Sequence, residues 1–304
     1  MLVSEQPVAT ARRSATGLWL LVLAGVLWGT GGPTGSLLAH EAGLSPLAVA
    51  AYRLAAGGSL LIAVVCLTRQ PLPRGRRAWA RMVVNGLLAA LFQACFFAAV
   101  SVTNVSLATL LTIGASPALV LSAEWISGRR RVGPLTLATL ALAVSGLALL
   151  VGTPSGGRTA ADTLAGAGLA LLSAAGFATM TFIGTRPVAG LDDLAATGVS
   201  FAIGAAVLAP AAIVTSGMGF VPTPAALGLL LLLGTAPTAV AYALYFRGLR
   251  TTQAGTAALI ALLEPLVATL LATLFLGDRL GVTGLVGAGL ITTAIVLNTR
   301  GTQH

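Results

Sequence analysis

Apolar residues fall along this chain in long blocks, separated by short stretches of Arg, Gly, Pro, Ser and Thr. A helix crossing a hydrocarbon core roughly 30 Å thick needs about 20 mostly apolar residues. Ten segments meet that requirement: 18–38, 46–67, 82–102, 105–126, 133–151, 164–184, 195–215, 225–246, 254–276 and 281–298. They occupy most of the chain and leave no room for a soluble domain. The connections are short, so neighbouring helices should run antiparallel. The faintest boundary is Ser101-Val-Thr-Asn-Val-Ser106, between the third and fourth spans. One unbroken helix there would project far beyond a bilayer, so a tight turn is expected.

Composition agrees with this pattern. Apolar residues make up 57% of the chain and charged residues 8%, whereas a soluble domain is about a quarter charged. All 17 basic residues are arginine, and against 8 acids they give a net charge of +9. Elsewhere that excess would suggest nucleic acid. Here the arginines sit in short loops, as membrane topology requires, and no nucleic-acid partner is expected. With the N-terminus inside, 14 arginines fall on the cytoplasmic side. Only Arg158 and Arg279 fall opposite, and Arg53 lies within the second span. The expectation is a multi-pass protein of the cell (inner or plasma) membrane, with cytoplasmic tails at 1–17 and 299–304. Arg12 and Arg13 ahead of Gly17 to Trp28 resemble a secretory leader. The apolar run continues to Leu38 and further spans follow, so the first helix is expected to be retained. Cys66 and Cys95 lie inside apolar runs without a C-x-x-C spacing, which suggests neither a disulfide nor a metal site.

The halves 18–151 and 164–298 resemble each other at a shift of about 149 residues. Trp28 falls on Phe177, Phe96-Phe97 on Tyr245-Phe246, and Pro117 on Pro265 if one residue is dropped. Each half holds five spans, and an odd number makes the second half enter the membrane from the opposite side. The loops test this independently. The arginine-rich RQPLPRGRRAWAR corresponds to SGMGFVPTP, which has no charge, while the uncharged SVTNVS corresponds to RGLRTTQ. Equivalent loops differ in charge because they face opposite compartments. The predicted fold is therefore all-α and integral to the membrane, with ten transmembrane helices as two inverted five-helix repeats.

LAGVLWGTGGP in the first span, AAYRLAAGG in the second, and SLATLLTIGASPALVLSAEWISGRRR with its repeat TAALIALLEPLVATLLATLFLGDRL carry a family resemblance. On these stretches the chain resembles the ten-span members of the drug/metabolite transporter superfamily that contain two EamA repeats. Two departures stand out. The first half has Ser116-Pro117 where the second has Glu264-Pro265, and Arg129 to Arg131 replace an acidic residue usual after the fourth span. The resemblance implies export or facilitated movement of small metabolites such as amino acids. It also implies alternating access through a cavity lined by spans one, three, four, six, eight and nine.

Glu264 is the sharpest candidate for chemistry. It lies about 15 Å into its span, near the midplane, where a carboxyl marks an ion, proton or substrate path. Its helical stripe holds Ala257, Ala261, Ala268 and Ala272, and Pro265 frees a carbonyl one turn back. Arg53 suits a substrate carboxylate, but it suits a structural partner such as Glu264 equally well. Glu124, beside Arg129 to Arg131, reads as solvated or locally paired. Further cavity candidates are Trp28, Gln93, Phe96, Phe177, Thr181, Thr238, Tyr242 and Tyr245, rings and polar groups suited to a small amphipathic solute. Pro33, Pro117, Pro237 and Pro265 are candidate hinges, and Gly25-x-x-x-Gly29 permits close helix contact.

The leading function is a secondary transporter, with a small-molecule solute as partner, the lipid bilayer as its surroundings and protons as the candidate coupling ion. Multidrug-type efflux and a non-transport assembly or sensor role stay open as alternatives. An intramembrane enzyme lacks its reagents, because the only histidines are His40 and His304 and no pair of intramembrane aspartates exists. No Walker A sequence and no cofactor motif occurs.

Overall fold

The computed structural model describes residues 6–70, 73–129, 131–151, 159–275 and 281–301, and among them there is helix and loop but no strand. Arg130, Arg158 and Arg279 lie outside the described residues. The first span is built from α1 (Gln6–Gly29) and α2 (Gly31–Ala42). The next six are single helices: α3 (Pro46–Leu67), α4 (Arg76–Val102), α5 (Val105–Ile126), α6 (Pro134–Val151), α7 (Ala160–Gly184) and α8 (Asp193–Ser216). The eighth combines α9 (Pro224–Gly234), a π-helical turn (Thr235–Val240) and α10 (Ala241–Gly248). The ninth combines α11 (Ala254–Ile260) and α12 (Leu263–Phe275), and α13 (Val282–Gly301) is the tenth. Among the described residues, ten helical units are thus long and apolar enough to cross a membrane.

Helix starts follow the local sequence. Side chains of Ser45, Asn104, Thr159, Asp192 and Thr223 each accept a backbone N–H of the helix they precede. Asn104 makes the expected turn between the third and fourth spans, accepting from Leu107 N at 2.8 Å. The third span begins at Arg76 rather than 82. Arginine is a good helix former, and its charged head reaches water while the backbone stays helical.

Three spans expected to be continuous are broken, two of them about one turn before a proline and the third around one. A proline has no N–H to donate, and its ring crowds the carbonyl four residues back. Pro33 follows the break at Thr30, and Pro265 follows the turn at Ala261 and Leu262. Pro237 lies in the π-helical turn, where the Thr238 hydroxyl donates to the freed Leu233 carbonyl at 2.7 Å. Pro117, by contrast, sits inside unbroken α5.

The packing repeats itself. Spans two and seven (α3, α8) pack together, as do five and ten (α6, α13). Three packs on six (α4, α7) and eight on one (α10, α1); four packs on six (α5, α7) and nine on one (α12, α1); three packs on seven (α4, α8) and eight on two (α9, α3). Each of these pairings is returned when each span is exchanged for its equivalent in the other half, as a two-fold relation requires. Because each half has an odd number of spans, the halves are inverted in the membrane. At the α6–α13 contact, a Cβ on Gly146 would lie 2.8 Å from the Gly287 carbonyl, so backbones touch there with no side chain between them. Leu67, Leu164, Val214 and Phe275 face outward, as a lipid-facing surface allows.

The antiparallel order places Arg69, Arg81, Arg129, Arg186 and Arg250 at one end of the bundle, called below the arginine-rich end. The other is the opposite end.

Candidate functional site

A cavity of ≈ 680 Å³ extends from the opposite end to the middle of the bundle. Its upper wall comes from Ser36 and Ala39 of α2, Pro46 of α3, Val100 of α4, Val105 of α5 and Val151 of α6, all close to that end. Deeper in lie Trp28, Arg53, Phe92, Gln93, Phe96 and Phe97, together with Ile113, Phe177, Tyr242 and Glu264. Spans one, three, four, six, eight and nine contribute, as expected. Span two adds Arg53, and span five adds Leu150 and Val151.

The break in the ninth span sets the position of Glu264. Ala261 accepts from Glu264 N at 3.0 Å, a tightened turn that starts α12 and puts the carboxyl in its first turn. A helix N-terminus favours a negative charge. The span is held against α1 by small residues. A Cβ on Gly29 would come within 2.4 Å of Val267 Cβ, and one on Gly25 within 3.0 Å of Leu263 Cβ. Ala257 and Ala261 are buried, and Ala268 lines the cavity beside Pro265. The small-sided stripe therefore packs closely at one end and opens onto space at the other.

Arg53 is the one cationic side chain among the described lining residues, and Glu264 the one acidic. The charge of Arg53 bears on both Glu264 and Tyr242. Yet Arg53 and Glu264 form no ion pair within 4 Å, and neither side chain makes a hydrogen bond to a described residue. Arg53 Nε is buried without a partner among the described residues, as is Trp28 Nε1.

An aromatic cluster closes the floor. Trp28 meets Tyr245 at 4.8 Å, Tyr242 at 4.9 Å and Phe177 at 5.8 Å between centroids, near edge-on against the last two. Phe201 stands edge-on to Tyr242 at 4.7 Å. Behind them Thr181 and Tyr245 share a hydroxyl hydrogen bond of 2.8 Å, with both side chains buried. Nearer the arginine-rich end, Arg250 Nε donates to Asp193 Oδ1 at 3.0 Å, and Arg81 donates to the Ile183 carbonyl. These contacts tie α4, α7, α8 and α10 together below the rings.

The sequence candidates thus separate into two groups. Glu264, Pro265, Trp28, Gln93, Phe96, Phe177, Tyr242 and Arg53 line the cavity. Thr181, Thr238 and Tyr245 do not line it. Thr181 and Tyr245 lie in the closed half, and Thr238 serves the π-helical turn. That turn adds a residue to the helical register, so Thr238 is rotated away from the face of Tyr242. Glu124 is not solvated. It is 5% exposed, and its carboxylate accepts Gly255 N at 3.2 Å, capping the start of α11 from the end of α5. Sequence reasoning passed over Asp193 and Arg250. An acid in the first turn of one span and a base just after another was the available signal.

Known proteins share this architecture. The chain matches the EamA-like transporter family over residues 15–152 and 164–300. It is 30% identical over 277 residues to the uncharacterized transporter YwfM of Bacillus subtilis (strain 168), covering 91% of each chain. An uncharacterized transporter of Archaeoglobus fulgidus is 28% identical over 280 residues, covering 92% of this chain and 95% of that one. A chain of known crystal structure superposes with a TM-score of 0.79 at 18% identity, covering 93% of this chain and 96% of that one, a likeness of fold. Two repeats, ten spans and a central cavity are thus those of a multi-pass membrane transporter, and the chain belongs to the EamA-like transporter family within the drug/metabolite transporter superfamily.

Proposed function

We propose that this transporter exports small amphipathic metabolites, amino acids or related solutes, by alternating access. The observation that carries this reading is the cavity of ≈ 680 Å³, open at one end of a two-fold bundle and closed at the other by rings and hydrogen bonds. Its size suits a small molecule, and rings interleaved with Gln93, Thr109 and Thr112 suit a solute with an apolar body and polar groups. Arginine placement supports cytoplasmic termini in the cell membrane, so the cavity faces outward in this state. Exchange of the two repeats' conformations would close the opposite end and open the arginine-rich one.

Glu264, an acid at mid-depth on a broken helix, is the proposed carrier of any coupling proton. Flux in reconstituted vesicles tests both statements. Wild-type protein should move a screened solute across the bilayer, with a rate that varies with pH. Glu264→Gln should flatten that pH profile. Superimposable wild-type and variant profiles would remove proton coupling through Glu264, and no flux of any screened solute would count against export.

A further inference from the structure

A second, smaller recess of ≈ 30 Å³ lies at the arginine-rich end and shares no lining residue with the central cavity. It is enclosed by the first turns of α4, the loop after α7, the first turns of α8 and the chain at the end of α10. That volume suits a small polar group rather than a whole metabolite. Three guanidinium groups line it, Arg81, Arg186 and Arg250, against one acid, Asp193. Arg250 and Arg186 are close enough that their like charges bear on Arg81. Asp193 answers only Arg250, accepting from its Nε and Nη2. Arg81 donates to the Ile183 carbonyl, a neutral partner. Arg186 makes no side-chain hydrogen bond to a described residue and overlies the Phe182 ring at 5.6 Å. Asn85 lines the same recess from α4; it is 7% exposed, and its Oδ1 is buried without a partner among the described residues. Converging like charges repel, and a buried amide left unbonded is costly, so together they mark the place of an anion.

We propose that this recess binds a phosphate group, carried either by free phosphate or by the head group of an anionic lipid. The inference is independent of the transport reading. A guanidinium is a planar fork of donors that matches phosphate oxygens, and the Asn85 amide adds a neutral donor. The start of α8 contributes the positive end of a helix dipole to the same recess. A tetrahedral phosphate can meet donors that arrive from α4, from the loop after α7 and from the end of α10 together, whereas a carboxylate has only two oxygens to offer. Asp193 competes with the anion for Arg250 and repels it, so this acid sets how tightly the recess binds. Arg81 belongs to the first repeat, and Arg186 and Arg250 belong to the second. An occupied recess therefore ties the two repeats together at the closed end.

Two binding measurements on the full-length protein test this and tell the two sources apart. The first is equilibrium binding of labelled inorganic phosphate to the protein in nanodiscs of net-neutral phosphatidylcholine. The second is retention of phosphatidylglycerol by the detergent-purified protein, read by native mass spectrometry. Arg186→Gln should weaken whichever ligand binds by about tenfold, the loss of a charge-assisted contact. Asp193→Asn should tighten it several-fold, because the competing acid is gone. Arg77→Gln removes an exposed charge at the same end, outside the recess, and should change neither measurement. A melting temperature within a few degrees of wild type identifies folded variants, and Arg186→Lys, which keeps the charge and loses the fork, stands in if Arg186→Gln is not folded. Phosphate binding with this variant pattern assigns the recess to free phosphate. The same pattern in lipid retention alone assigns it to a head group. Absence of both ligands, equal losses in Arg186→Gln and Arg77→Gln, or weaker binding in Asp193→Asn overturns the proposal.

Discussion

Tyr245-Phe246 and Phe96-Phe97 occupy equivalent places in the two repeats, yet they do different work. Tyr245 is 1% exposed, its ring tilted against Trp28 and its hydroxyl bonded to Thr181 in the closed half. Phe96 and Phe97 stand edge-on to each other at 5.3 Å on the wall of the open cavity. The difference extends to their surroundings. The residues corresponding to Thr181 and to the Asp193–Arg250 ion pair are Gly32, Leu44 and Ser101, none of which can form those bonds. Inverted repeats supply two ends of the same shape, and the side chains that differ between them decide which end is fastened.

The comparison can be broken most directly by deleting the rings. Tyr245→Ala should cost about 3–5 kcal/mol, because a filled, buried site is emptied. Phe96→Ala, removing a half-buried ring that already borders open space, should cost about 1–2 kcal/mol. Melting of the two variants in nanodiscs checks this, and equal losses would mean that the two ends are equally packed. A smaller effect isolates the hydroxyl. Tyr245→Phe leaves Thr181 unpaired in a dry setting and should cost about 1–2 kcal/mol. Thr181→Val in the same chain should recover part of that loss, and a strictly additive double variant would deny the bond any role. The smallest expected effect is at the rim. Asp193 and Arg250 are 25% and 27% exposed, so Asp193→Asn should cost about 1 kcal/mol or less. The loss should shrink in high salt. A cysteine at Thr197 in a cysteine-free background should then react faster with a polar thiol reagent from the arginine-rich end. An unchanged labelling rate would show that the ion pair does not fasten that end.

Most of the architecture was legible along the chain. Span length, the turn at Asn104 and the reversal of loop charge all follow from local pattern and bilayer thickness, which act on each segment separately. The depth of Glu264 was legible for the same reason. Part of the site was not. Helical periodicity groups Thr238, Tyr242 and Tyr245 on one face, but it cannot foresee a π-helical turn at Pro237 that rotates the segments against each other. Glu124 read as solvated or locally paired, and nothing local could show that it also accepts from Gly255 N, 131 residues away.

By itself the sequence determined that this protein crosses the membrane ten times, that its halves are inverted and that one acid lies deep. Lipid enforces these features, because a backbone without water must satisfy itself within each helix whatever its neighbours are. Tertiary structure alone decided which rings seal and which line, that Arg53 faces the same space as Glu264, and which end is closed. Those depend on contacts between spans far apart in the chain, where a carboxylate or a ring acquires its role only from the element packed against it.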